Sequence, residues 1–275
     1  MTSTLSGKTA LVTGSSRGIG RATALGLARE GALAAVHYGR DKQAAQQTVD
    51  LIEKDGGRAF AVGAELGTPG AVDQLFHQLE AGLREHADET VLDILVNNAA
   101  ATTPAGSVPE EVSAEQIDEI FAVNAKAPFL LVQRALGLIP DGGRIINISS
   151  AVTRMAEPSQ VVYAMSKGAL DQLTLHFARH LAPRHITVNS VLPGLTDNGS
   201  AVFQMPGARE QMSQLSAFKR LGEPEEVANV VVFLATDRSR WITGASLDAT
   251  GGSLLGQQPA PPRPLPRSLP EGLHP

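Results

Sequence analysis

The sequence predicts a doubly wound α/β domain, a parallel sheet with helices on both faces, and three observations point there. Short apolar runs of strand length alternate with segments of helical period, the order that builds a parallel sheet through helical crossovers. The first run, between Lys8 and Thr13, opens directly into Gly14-Ser-Ser-Arg-Gly18-Ile-Gly20 and then into an Ala/Leu-rich helix ending near Glu30-Gly31. A later run, Gly142 to Ser150, carries apolar side chains on both faces, as a central strand covered on both sides requires.

The length of 275 residues, 43% hydrophobic and 19% charged, fits one such domain with a sizeable core. It should span residues 1–256. From Gln257 to Pro275 the chain is too proline-rich to pack as helix or sheet and reads as an extended tail. A net charge of −5 without a Lys/Arg run argues against nucleic acid as principal partner. The absence of cysteine removes disulfides and thiolate metal sites and suits a cytoplasmic protein. Neither a basic, apolar leader at Met1 to Gly7 nor an apolar stretch of roughly 20 residues is seen, so no membrane span is expected.

Taken in order, strand, glycine turn and helix start are the parts of a nucleotide pyrophosphate site. Glycines permit close backbone approach, and the helix N-terminus offers free N–H groups and a positive dipole end. The spacing Gly-x-x-x-Gly-x-Gly of Thr13-Gly14-Ser-Ser16-Arg17-Gly18-Ile19-Gly20 resembles the cofactor signature of the short-chain dehydrogenase/reductase family. The second strand, Leu33 to Tyr38, runs into Gly39-Arg40. A carboxylate at its end would pair with the ribose hydroxyls of NAD and repel the 2′-phosphate of NADP. Tyr38 stands there instead, and Arg17 and Arg40 are suited to grip a phosphate, so NADP(H) is the expected cofactor. His37 is in reach of the adenosine end, though a packed strand histidine is the simpler reading.

A helix near Ala44 to Asp55 and a strand Arg58 to Val62 lead to Glu65-Leu66, where the family resemblance implies a contact with adenine. After a helix at about Pro69 to Glu85, the strand Leu92 to Val96 delivers Asn97-Asn98-Ala99-Ala100. This is similar to the family's Asn-Asn-Ala-Gly, which implies amides bracing the sheet and small residues admitting the adenine ribose. Ser113-Ala-Glu-Gln116 is a capping box opening a long helix, about 114 to 137, with Pro128 predicting a kink near Asn124. A buried Asn must find polar partners. The resemblance implies that Asn124 holds a water linking a catalytic lysine to solvent.

Ser150 closes the fifth strand, on the sheet edge where ligands bind. Tyr163 and Lys167 lie four apart in a helical stretch from Ser159 to Leu181, so phenol and ammonium share one face. A phenol of pKa about 10 is a poor acid, and lowering it by roughly 3 units takes about 4 kcal/mol from a nearby ammonium. Such a tyrosine can protonate a carbonyl oxygen while hydride arrives at carbon. Val152 and Met155 follow as candidate substrate wall.

The sixth strand, Ile186 to Val191, stops at Pro193-Gly194. With Leu195-Thr196 this matches the family segment around the nicotinamide amide. From Leu195 to Phe218, chain breakers alternate with Leu195, Val202, Phe203 and other apolar residues, where the resemblance implies a mobile lid over a hydrophobic ketone. A final helix begins at Arg220 to Pro224, and Asp248 to Gly252 resembles the family's C-terminal signature. The resemblance spans about residues 7 to 252 and implies strand order 3-2-1-4-5-6-7 and a homotetramer assembled through the two long helices.

Rival readings fare worse. His176 and His180 have metal-sharing spacing but no general-base Glu between them, and no Gly-x-Ser-x-Gly elbow supports a serine hydrolase. A non-catalytic nucleotide-binding subunit would be expected to lose the side chains retained at Asn124, Ser150, Tyr163 and Lys167. The chain reads as an NADPH-dependent ketoreductase with no metal. It is similar to 3-oxoacyl carrier-protein reductases and, over Leu195 to Phe203, to ketoreductases of angucycline-type aromatic polyketides. The apolar lid favours the latter.

Overall fold

A computed structural model describes residues 4–104, 107–199, 203 and 207–256. Seven strands, β1 (Thr9–Val12), β2 (Leu33–Tyr38), β3 (Arg58–Gly63), β4 (Ile94–Asn97), β5 (Arg144–Ile148), β6 (Thr187–Pro193) and β7 (Ser246–Ala249), form one sheet. Its order is β3-β2-β1-β4-β5-β6-β7, and every pairing is parallel. The predicted architecture and strand order are both found.

The helices are α1 (Gly18–Arg29), α2 (Lys42–Lys54), α3 (Ala71–His86), α4 (Ala114–Phe121), α5 (Ala127–Ala135), α6 (Val161–Leu181), α7 (Ala208–Ser213) and α8 (Pro224–Ala235). Strand side chains alternate between two apolar layers, as the pleat requires. Leu11, Leu95, Ile145 and Val188 pack beneath α3, α5 and α6. Ala10, Val12, Val36 and Ile146 face α1, α2 and α8. Among the described residues no helix is long and apolar enough to cross a membrane.

One expectation needs correction. The helix predicted over 114–137 is not continuous: α4 ends at Phe121, a π-helical turn covers Ala122–Lys126, and α5 ends at Ala135. The cause is Pro128, which has no N–H to offer the carbonyl of Asn124 four residues back. The ladder slips, and the Ala127 N–H bonds the Ala122 carbonyl, five residues away. The wider turn sets Asn124 inward, fully buried. The capping box forms as predicted, Ser113 and Gln116 each bonding the other's backbone N–H.

Candidate active site

The glycine loop is built on a floor of specific partners. Gly14 and Gly18 have φ of 63° and 57°, left-handed backbone that glycine adopts without a Cβ penalty. The Gly14 N–H donates to Nδ1 of His37 at 2.9 Å, and Nε2 of His37 meets the Ala64 carbonyl at 2.9 Å. One ring nitrogen accepts and the other donates, which describes a neutral imidazole. Burial pushes its pKa down to about 4, against the opposing hydrogen bond that the ring donates to the Ala64 carbonyl. His37 is therefore a strut under the loop, and its distance from the surface removes it from the adenosine end.

The unfolded imidazole titrates near 6.5 and the folded one near 4, so acid protonates only the unfolded chain in that window. Stability due to this group should fall as pH drops from about 6.5 toward 4, by about 3 kcal/mol at the lower limit. Thermal midpoints across that range should decline more steeply in the wild type than in His37→Gln.

Above the floor, α1 begins at Gly18 with Arg17 as N-cap, and no side chain caps its first N–H groups. Arg17 itself is exposed, and Ser16, Gly18 and Ile19 are half-buried at the loop rim. Asn98 braces the loop from β4, its Nδ2 donating to the carbonyls of Thr13 at 2.7 Å and Gly14 at 3.0 Å. The hydroxyl of Thr13 accepts the N–H groups of Asn98 and Ala99. Thr13 was part of the motif but not of the predicted site. Its place immediately before Gly14 is the signal that marks it.

A Cβ on Gly20 would stand 2.4 Å from the Gly14 carbonyl oxygen and 2.5 Å from Nδ2 of Asn98. Relieving that overlap displaces the loop at a cost of about 1–3 kcal/mol. Gly20→Ala should weaken cofactor binding about tenfold or more, with helical circular dichroism retained. Calorimetric titration with NADP+ measures it.

At the far end of β2 the Tyr38 ring lies across Gly63, whose added Cβ would meet it at 2.6 Å. Gly39 beside it is exposed. Arg40 forms an ion pair with Glu65 through Nε at 2.8 Å and through Nη2. The carboxylate raises the arginine pKa, and the guanidinium lowers that of Glu65. Glu65 thus reaches the arginine, while Leu66 beside it is buried. Ala99 and Ala100 sit at the end of β4, where Ala99 closes on Gly14.

On the other side of the sheet the predicted proton-handling residues converge. Ser150 follows β5 in extended conformation, and its Oγ accepts the Val152 N–H at 3.4 Å. Its hydroxyl also bonds the Tyr163 phenol, which favours the ionised form. Burial outweighs this and pushes Tyr163 up to about 12. Lys167 is 2% exposed, donates from Nζ to the Ile148 carbonyl at 2.7 Å, and lies 5.7 Å from the centre of the Tyr163 ring. Burial pushes its pKa down to about 8, with Asp171 opposing.

The net shift at Tyr163 is therefore upward, because burial outweighs the groups that favour the phenolate. Desolvation of the phenolate exceeds the help it receives, because the ammonium is drawn to a strand carbonyl and is itself desolvated. The Asn124 side chain finds the polar partners that its burial requires. Oδ1 accepts the Ala101 N–H, and Nδ2 donates to the Ala101 carbonyl at 2.8 Å and to Ser166 at 3.0 Å. The amide is saturated, so the backbone carbonyl that Pro128 leaves without its helical partner is the group available to a water.

The nicotinamide-side segment closes the site. Gly194 approaches Thr250 so closely that a Cβ would meet its carbonyl oxygen at 2.9 Å. Pro193 ends β6, and the Thr196 hydroxyl turns back to the Gly194 carbonyl at 3.2 Å. Leu195 and Met155 are exposed at 39% and 40%, apolar surface at the mouth. Val152 is half-buried and Phe203 is buried. Val202 and the tail 257–275 lie outside the described residues. A cavity of about 150 Å³ separates Gly194 to Thr196 from Phe218 and α8, and Arg220 clamps Glu226 beneath it at 2.7 and 2.6 Å. No group of His, Cys, Asp and Glu that could hold a metal occurs among the described residues.

A glycine loop against an uncapped helix, with Ser, Tyr and Lys gathered at the carboxyl edge of a parallel sheet, defines a nucleotide-dependent oxidoreductase site. The family model described as enoyl-(acyl carrier protein) reductase matches residues 14–253, and the chain belongs to the short-chain dehydrogenase/reductase family. It is 67% identical to LugOII, a promiscuous reductase catalysing keto-reduction at C1 during lugdunomycin biosynthesis, with a TM-score of 0.90 over 92% of this chain and 100% of that one. It is 59% identical to the landomycin C-6 ketoreductase LanV, solved with bound NADP and rabelomycin, with a TM-score of 0.87 over 92% and 98%. A hydroxynaphthalene reductase-like protein, Arp2 of Metarhizium brunneum, is 38% identical over 91% of this chain and 96% of its own length.

Proposed function

We propose that this protein is an NADPH-dependent ketoreductase acting on a polycyclic aromatic polyketide ketone. The observation that carries the reading is the Ser150–Tyr163 hydrogen bond set beside buried Lys167. The uncapped first turn of α1 fits a pyrophosphate, and Arg17 and Arg40 fit the 2′-phosphate. Bound NADPH supplies hydride to the carbonyl carbon. Ser150 orients the carbonyl oxygen, and Tyr163 donates its proton to it. Burial holds Tyr163 as the neutral acid throughout the physiological range, the form that reduction requires. An alkoxide is far more basic than a phenolate, so transfer runs downhill even from a phenol of high pKa. The Lys167 ammonium then stabilises the phenolate, and water at the Asn124 carbonyl resupplies the proton.

Leu195, Met155 and Phe218, exposed at the mouth, favour a broad apolar substrate, in keeping with the rabelomycin carried by LanV. The test is NADPH and NADH oxidation at 340 nm against a polycyclic quinone ketone, a simple decalone and an acetoacetyl thioester. Preferential NADPH consumption with the polycyclic ketone supports the reading. Turnover of the thioester alone would transfer the assignment to a 3-oxoacyl reductase.

Phe129 on α5 and Met165 and Leu175 on α6 are exposed by 47–54%, apolar surface that fits burial against other copies. This supports a homotetramer, and light scattering should return four chain masses. Charged substitutions at Phe129 and Leu175 should lower that mass. A cysteine-free chain of this kind fits the cytoplasm.

A further inference from the structure

The Arg40–Glu65 pair is not explained by fold stability, since both side chains are substantially exposed, 83% and 44%, and exposed pairs contribute little. Its geometry is nonetheless fixed from both ends. Tyr38 and Gly63 are paired in the β2–β3 register, and Arg40 and Glu65 each lie two residues further on, side by side at the carboxyl edge. The Glu65 carbonyl accepts the Thr68 hydroxyl at 2.8 Å and the Thr68 N–H at 3.2 Å, and Ala64 ties back to the Tyr38 carbonyl. Arg40 is followed directly by Asp41, the side chain that caps α2 at the Ala44 N–H.

Glu65 engages the guanidinium along one edge, through Nε and Nη2, on its Oε1 atom. An arginine has five N–H donors in a rigid plane. Three therefore remain, both on Nη1 and the second on Nη2. That outward fork is the one suited to bidentate recognition of a phosphate. The Glu65 carboxylate reaches Arg40 across the strand ends, and an aspartate there would be one methylene shorter.

We infer that Glu65 is a positioning residue for cofactor discrimination, holding the Arg40 guanidinium by one edge so that its free fork meets the 2′-phosphate of NADP(H). The inference rests on the NADP(H) reading above and assigns to Glu65 a task other than contact with adenine. It also opposes the simplest electrostatic expectation, in which a carboxylate near the phosphate weakens binding. Glu65 acts through Arg40, so its effect vanishes when Arg40 is removed.

The test is a double-mutant cycle read by calorimetry, with NADP+, NAD+ and adenosine 2′,5′-bisphosphate as titrants, on wild type, Glu65→Gln, Glu65→Asp, Arg40→Ala and Glu65→Gln/Arg40→Ala. Both Glu65 variants should bind NADP+ and the bisphosphate about three- to tenfold more weakly, with NAD+ changed by less than about twofold. Arg40→Ala should lose about tenfold or more, and the double variant should match it. Unchanged or tighter NADP+ binding by Glu65→Gln overturns the inference, as does a further loss on top of Arg40→Ala. Should wild type bind NAD+ as tightly as NADP+, the cofactor reading itself fails, whatever the variants do.

Discussion

Tyr163→Phe should lower kcat by about 10²–10⁴-fold, the usual contribution of a positioned general acid, while NADP+ binding stays within about twofold. Tyr163 is half-buried, and the change removes one hydroxyl without altering the ring. Its hydroxyl bonds Ser150, so the variant leaves Ser150 to orient the carbonyl with no acid beside it. Ordinary affinity for NADP+ together with a collapsed rate separates loss of proton donation from loss of the site. Stopped-flow reading of the first turnover makes that separation, because product release does not enter.

Lys167→Met should cost about 10²-fold or more at neutral pH and should flatten the pH profile. In the wild type, Lys167 is pushed down to about 8 by burial, so the ammonium is present below that pH and lost above it. The phenolate left by proton transfer then loses the cation beside it, and the reduction rate should fall as pH rises through about 8. The variant should show no such limb. Rate profiles from pH 6 to pH 9.5 for both proteins check it.

The fold was legible where one local signal sufficed. The glycine turn between an apolar run and an Ala/Leu-rich helix, the both-face apolar run at β5 and the Ser113 capping box each depend on residues within a few positions. Pro128 announced a break near Asn124 for the same reason. Its form, a π-helical turn that saturates the Asn124 amide on Ala101 and Ser166, depends on residues 23 and 42 positions away.

Long-range pairing hid the rest. Arg40 and Glu65 are 25 residues apart and become neighbours only through the β2–β3 register. The amide relay from Asn97 to Asn147 and on to Thr174 and Ser190 crosses three strands and a helix in the same way. The upward shift at Tyr163 was not legible because helical spacing brings the lysine near but says nothing of burial. Desolvation of both groups, and the Ile148 carbonyl that takes the ammonium, exist only once β5 and α6 are packed.

The most direct test of the central claim is transfer of label from NADPH carrying deuterium at nicotinamide C4, using each C4 stereoisomer in turn with a polycyclic aromatic ketone. One isomer should give an alcohol heavier than the ketone by one deuterium and one hydrogen, with the deuterium on the former carbonyl carbon. Binding of NADPH with no labelled alcohol from any ketone tried, by a protein that gives the same result as Tyr163→Phe, would contradict it.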